Sequence, residues 1–313
     1  MKLYKLVLSM IVTIVVSLFV GAAAYGQVIY DSTVSPLPGN LPSVGAEAYA
    51  FNEFGDAVNF AGTARSPLSV TVTMSSWGCQ AGHWYTADCV TTPGATFNID
   101  ITLNIYNAGN PAPGSLIASR TQTFAIPYRP SSDNTNCTGG RWFQSSTGNC
   151  FNGLANNITF DLTSVNATLP NSIVYGIVYN TTSYGPQPIG PTAPCFTSSG
   201  GCPYDSLNIA LSPAVVVGAK PFFDTVYQNS PYGFEYCDGG LAGTSIFRLD
   251  SPTSACWNDG SGNSYIPAVQ FSAYTIATNA NQCKNTGWTA VKRAGGSSFK
   301  NQGDCIQYVN TGK

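Results

Sequence analysis

Four acids head the residues whose chemistry could amount to catalysis: Glu47, Glu53, Asp56 and Glu235. Two carboxyl groups about 5 to 10 Å apart are enough to cleave a glycosidic bond, one donating a proton and the other acting as base or nucleophile. The chain has only three glutamates, and no spacing among these acids brings two together. Glu53-Phe54-Gly55-Asp56 reads equally well as a turn with Gly55 at positive φ. His83 is the single histidine, so a two-histidine metal centre is excluded. Asp259-Gly260-Ser261-Gly262-Asn263 repeats oxygen-bearing side chains every second residue like a calcium loop. Ser264 then stands where an EF-hand has glycine, and Gln270 where it has the bidentate acid. No phosphate loop, dinucleotide fingerprint or nucleophile elbow occurs. Neither a metal nor a cofactor is expected, and a secreted hydrolase with a carboxylate pair is the enzymatic alternative.

Recognition of a sugar asks less of a sequence: flat rings to stack on sugar faces, with Asn and Thr to meet the hydroxyls. Trp84, Trp142 and Trp257 each lie in a cysteine-bounded segment and outside the alternating strands. His83 stands beside Trp84 in CQAGHWYTADC. These four are the candidate ligand-binding residues, expected to be exposed, although rings of this kind also pack their own loops.

Ten cysteines, an even number, suit an oxidising compartment. Sequential neighbours give the simplest pairing: Cys79 with Cys89, Cys137 with Cys150, Cys195 with Cys202, Cys237 with Cys256, and Cys283 with Cys305. Each bridge would close a local loop, worth roughly 3 kcal/mol for a loop of about 15 residues in the chain-entropy model. Export is also the reading of the N-terminus. Lys2 and Lys5 precede an apolar run over residues 6–20, then Gly21, Ala22, Ala23 and Ala24. Residues 1–26 therefore read as a secretory signal peptide. The run falls short of the roughly 20 residues that span a bilayer, so a secreted chain beginning near Gln27, with no membrane insertion after cleavage, is expected.

The elements that must position these residues are strands. Only 9% of the chain is charged, and with 32 Gly and 20 Pro the composition favours strands and turns over helices. Val70, Val72 and Met74 alternate with Thr71 and Thr73. Ile99, Ile101, Leu103 and Ile105 alternate with Asp100, Thr102 and Asn104. Such period-two patterns predict half-buried strands. Further strands are expected over residues 48–51, 116–126, 158–162, 173–179, 207–211, 244–249 and 268–276, with no sustained helical spacing before residue 280. The fold expected is all-β: a two-sheet β-sandwich, jelly-roll-like, over residues 27–278, followed by a small disulfide-stapled appendage over residues 279–313.

The stretch EFGDAVNFAGTARSPLSVTVTMSSWGC, with CVTTPGATFNIDITLNIYN and IPYRPSSDNTNC after it, resembles an uncharacterised family of secreted bacterial β-sandwich proteins. The tail, of the pattern CKxxGW…FKNQGxC, resembles a cassette appended to many otherwise different exported bacterial proteins. Both resemblances imply export and a two-part chain, and neither implies a catalytic residue.

Charge separates the two parts. Residues 27–282 carry 6 basic and 14 acidic side chains, whereas residues 283–313 carry 5 basic and 1 acidic. A segment of this size cannot build a self-sufficient core, so Cys283 and Cys305 must staple it. Within it Asn301 is expected to cap a short helix with Asp304 in its first turn, Ile306 and Val309 on one face, and Phe299 and Trp288 as apolar partners. Five basic residues without a recognition motif argue against nucleic acid. The expectation is an exported, non-catalytic binding or structural protein whose partner is carbohydrate or an anionic cell-wall polymer.

Overall fold

The computed structural model describes residues 26–46, 51, 53–82, 84, 87–179, 207–222, 225–229, 246–249 and 266–313. The described part is mostly β. In chain order the strands are β1 (Gln27–Asp31), β2 (Ser43–Gly45), β3 (Glu53–Asn59), β4 (Ser66–Ser76), β5 (Thr96–Asn107), β6 (Leu116–Pro127), β7 (Trp142–Gln144) and β8 (Asn149–Phe151). They continue with β9 (Leu154–Asp161), β10 (Ser172–Val178), β11 (Leu207–Ser212), β12 (Tyr227–Gln228), β13 (Arg248–Leu249), β14 (Ile266–Pro267) and β15 (Val269–Tyr274).

All named strand pairs are antiparallel and form two principal sheets. One runs β1-β15-β4-β11-β14, with β9 on β4 and β2 on β11. The other runs β13-β12-β3-β10-β5-β6. The alternation read from sequence matches the burial: Val70, Val72 and Met74 of the first sheet share one core with Ile99, Ile101, Leu103 and Ile105 of the second. Each such side chain contributes about 1.5–3 kcal/mol on leaving water. Polar alternates of β4 pair across strands on the other face, Thr71 with Thr159 at 2.9 Å and the buried Thr73 with Asn157 at 2.8 Å.

β3 departs from expectation. Glu53, Gly55 and Asp56 lie within a strand, not in a turn, and Gly55 serves a close approach of backbones. A Cβ there would meet the Tyr175 carbonyl oxygen of β10 at 1.8 Å. The strand expected over residues 48–51 falls largely outside the described residues; of 244–249, residues 246–249 are described, and only Arg248–Leu249 form a strand, β13.

A short segment after β11 ties the sheets together. Val217 bridges Asp31 of β1, and two residues on Ala219 bridges Asn59 of β3. Between them Gly218 has φ +80°, and a Cβ there would stand 2.6 Å from the Asn59 carbonyl oxygen. This crossing delivers Lys220 to the interior, where it is buried.

The tail forms its own small cluster from Ala277, Cys283, Val291, Phe299 and Cys305, with Trp288, Ile306, Tyr308 and Val309 against it. Two 3-10 turns, Ala280–Cys283 and Gly287–Thr289, precede helix α1, Gln302–Thr311. The Asn301 side chain accepts from the Asp304 backbone N–H at 2.9 Å, the cap expected from sequence. Among the described residues no helix is long and apolar enough to cross a membrane. The leader read over residues 1–26 lies, up to residue 25, outside them.

Candidate functional site

Three expected disulfides form: Cys79–Cys89, Cys137–Cys150 and Cys283–Cys305. Cys195, Cys202, Cys237 and Cys256 lie outside the described residues, as do His83, Trp257, Glu47, Glu235 and the 259–263 stretch.

The first two bridges staple loops that pack on each other around Arg129. This arginine is fully buried, and burial pulls its guanidinium down to about 10. It donates to the carbonyls of Pro130 at 3.2 Å, Trp84 at 3.4 Å and Gly140, while Asn134 donates to the Ala87 carbonyl at 3.0 Å. Gly140, at φ +70°, allows the approach: a Cβ would sit 2.8 Å from the Trp84 carbonyl oxygen. The loops thus meet at one end of the sheets.

Their tryptophans divide. Trp84 is half-buried, edge-on to Trp77 with ring centres 4.7 Å apart. Trp142 corrects the expectation of exposure. It is buried, its indole N–H donates to the Gly153 carbonyl at 2.7 Å, and its ring packs on Phe151. Folding of the β7–β8 hairpin over this ring satisfies both its apolar body and its polar atom.

The more developed polar group lies on the outward face of the six-stranded sheet. The Glu53 carboxylate accepts from the Tyr106 hydroxyl at 2.8 Å and from Asn104 Nδ2 at 3.1 Å. Its own N–H donates to Asn229 Oδ1 at 3.0 Å. Register explains the meeting. Gly176 of β10 pairs with Gly55 of β3 on one side and with Asn104 of β5 on the other, giving a floor without side chains. A Cβ on Gly176 would stand 2.1 Å from Glu53 Oε1, so the glycine makes the space in which the carboxylate lies.

Burial raises the Glu53 carboxyl above its ordinary value, against the opposing pull of the Asn104 and Tyr106 hydrogen bonds. All three side chains remain half-exposed. Beside them Tyr106 packs against Phe247 with ring centres 5.8 Å apart, at the margin of a satellite apolar cluster of Ala57, Val174 and Tyr227. Away from it the face continues as a polar ladder. Ser119 donates to Asn104 at 2.7 Å, Thr102 meets Thr121 at 2.7 Å, and Thr123 donates to Asp100 at 2.5 Å.

The arrangement does not supply the second carboxyl of a hydrolase from the described candidates. Asp56 faces the core on the other side of β3. Asp100 is four residues from Asn104 on β5, roughly 13 Å at a strand's rise and beyond the working separation. Nothing in the sequence marks this site, because its members come from strands separated by about fifty residues.

No protein-family model, no curated protein and no solved structure matches the chain.

Proposed function

We propose that the chain is an exported, non-catalytic binding protein whose ligand is carbohydrate, and that the ligand lies on the outward face of the six-stranded sheet at Glu53, Asn104 and Tyr106. One observation carries this reading: a half-exposed carboxylate, amide and phenol held together over a glycine floor, continuous with a ladder of Asn, Ser and Thr side chains. Such a group offers donors and acceptors at hydroxyl spacing beside an aromatic ring, the combination by which a pyranose is held without chemistry on it. The three disulfides suit an exported chain. Two sheets around one core support the two-sheet, jelly-roll-like sandwich as the scaffold, and membership of the secreted bacterial family belongs to the same proposal.

The tail is the second element of the reading. Its basic excess favours an anionic polymer of the cell wall, although Arg293 is engaged within the module by Asp304 at 2.7 Å. Lys284, Lys300 and Lys313, all exposed, and the partly buried Lys292, which lies over the Tyr274 ring, carry the remaining charge.

A glycan array on the mature protein tests the proposal, with Glu53→Gln, Asn104→Ala and Tyr106→Phe as comparisons. Binding by the wild type that falls at least tenfold in each variant is the expected result. Binding that is unchanged in all three would move the ligand elsewhere, with the Trp77–Trp84 pair the next surface to test.

A further inference from the structure

Among the described residues the interior holds an ionisable pair that the proposed binding face does not use. Lys220 Nζ is in contact with Asp56 Oδ2, and both side chains are buried, 5% and 1% exposed. Asp56 sits on the core face of β3, between Phe54 and Val58. Lys220 arrives from the crossing segment that links the two sheets. Tyr175 of β10 is the cross-strand neighbour of Asp56, fully buried, and its hydroxyl has no hydrogen-bond partner among the described residues. The rings of Tyr30 and Tyr175 both pack against Phe271, which closes the surroundings to water.

From this geometry we infer that Lys220 and Asp56 condense to an intramolecular isopeptide bond between Nζ and Cγ. A buried ammonium and carboxylate lose most of their hydration, and a proton passing from Nζ to the carboxylate leaves a neutral amine against a neutral acid. Burial raises the Asp56 carboxyl, in the direction of that neutral form, while the positive charge of Lys220 opposes it. The neutral amine is the nucleophilic form of lysine.

The remaining contacts suit the reaction. Asp56 Oδ1 accepts the Ala57 backbone N–H at 2.8 Å, so one fixed donor stabilises charge on the oxygen that stays in the amide. Lys220 Nζ also donates to the Thr225 carbonyl, which orients the nitrogen. The Nζ lone pair forms the bond to Cγ. The Cγ–Oδ2 bond breaks, and Oδ2 leaves as water, carrying the acid proton and one proton from nitrogen. Ammonium plus carboxylate gives amide plus water, with no oxidant or co-reactant. Holding the two groups in contact replaces a bimolecular encounter, an advantage that reaches effective molarities of about 10⁵ M or more in well-oriented systems. The link would join residues 164 apart in sequence and fasten the crossing segment to β3 covalently.

Mass spectrometry of the full exported chain tests this directly. The wild type should be lighter than its disulfide-corrected sequence mass by one water. A proteolytic digest should contain a branched peptide joining the Asp56 and Lys220 segments. Asp56→Asn should yield the same branched product through loss of ammonia, whereas Lys220→Arg and Asp56→Ala should show none. A wild-type chain at full mass, with the two segments recovered as separate linear peptides, would overturn the inference and leave a buried ion pair. That measurement needs no variant to fold.

Discussion

Glu53 and Asp56 stand three residues apart on one strand and face opposite sides of its sheet, Glu53 toward Tyr106 and Asn104, Asp56 toward Lys220 in the core. An odd separation on a period-two element separates them by construction. Two of the four candidate acids are therefore independent groups, one at a partly open polar site and one sealed in the interior.

The Glu53 carboxyl should leave a signature in the pH dependence of stability. Its folded-state value is raised by burial, so stability associated with the protonated form is complete below the unfolded value near 4.5 and is lost as pH rises through the raised value. Glu53→Gln removes this titration. Melting temperatures measured from about pH 4 to about pH 8 should move in favour of the variant as pH increases. A wild-type-to-variant difference that stays constant over this range would show that the carboxyl is not shifted.

Trp142 should behave as a core residue. Trp142→Ala removes a buried ring and strands the Gly153 carbonyl, a loss of about 3–5 kcal/mol. Denaturant unfolding should show it, and glycan binding at temperatures where the variant is folded should be unaltered.

In the tail, Arg293 lies over the rings of Phe299 and Tyr308, at 4.6 and 5.5 Å, while pairing with Asp304. Arg293→Lys keeps the charge and loses the planar stacking, so a loss of about 1 kcal/mol is expected in a urea titration followed by Trp288 fluorescence. Exposed ion pairs contribute little, so Asp304→Asn, which also weakens the hydrogen bond from the Lys300 backbone N–H at 2.7 Å, should cost less than Arg293→Lys. A larger loss for Asp304→Asn would assign the stability to the ion pair.

Cys305→Ser should release the tail while sparing the rest. The bridge to Cys283 spans 22 residues and closes the small cluster, worth about 3 kcal/mol in the chain-entropy model. Amide exchange should lose protection over α1 and keep it over β4, β5 and β10. Loss of protection in those strands as well would make the tail part of the main core.

Local rules were legible in the amino-acid sequence. β5 announces itself because it buries one face only, and β4 because its letters alternate between apolar residues and Thr even though its second half is buried on both faces. The Asn301 cap is legible because the cap and its partner lie three residues apart. The three disulfides seen pair neighbours in the chain, where loop closure is shortest. Less was visible wherever an element is buried on both sides or interrupted by glycine. β3 reads as a turn because Gly55 is taken for punctuation, when its missing side chain serves the approach of β10.

Tertiary structure alone decided the rest. Glu53 meets Asn104 and Tyr106 across strands 51 and 53 residues away, and Asp56 meets Lys220 across 164. Such contacts depend on sheet order and register, which side-chain periodicity does not encode. The same holds for Trp142, whose place in a cysteine-bounded loop pointed outward until the fold of β7 and β8 turned it in. A sequence records which faces seek burial, and only the packing of sheets and loops determines which buried or half-buried groups come to face one another.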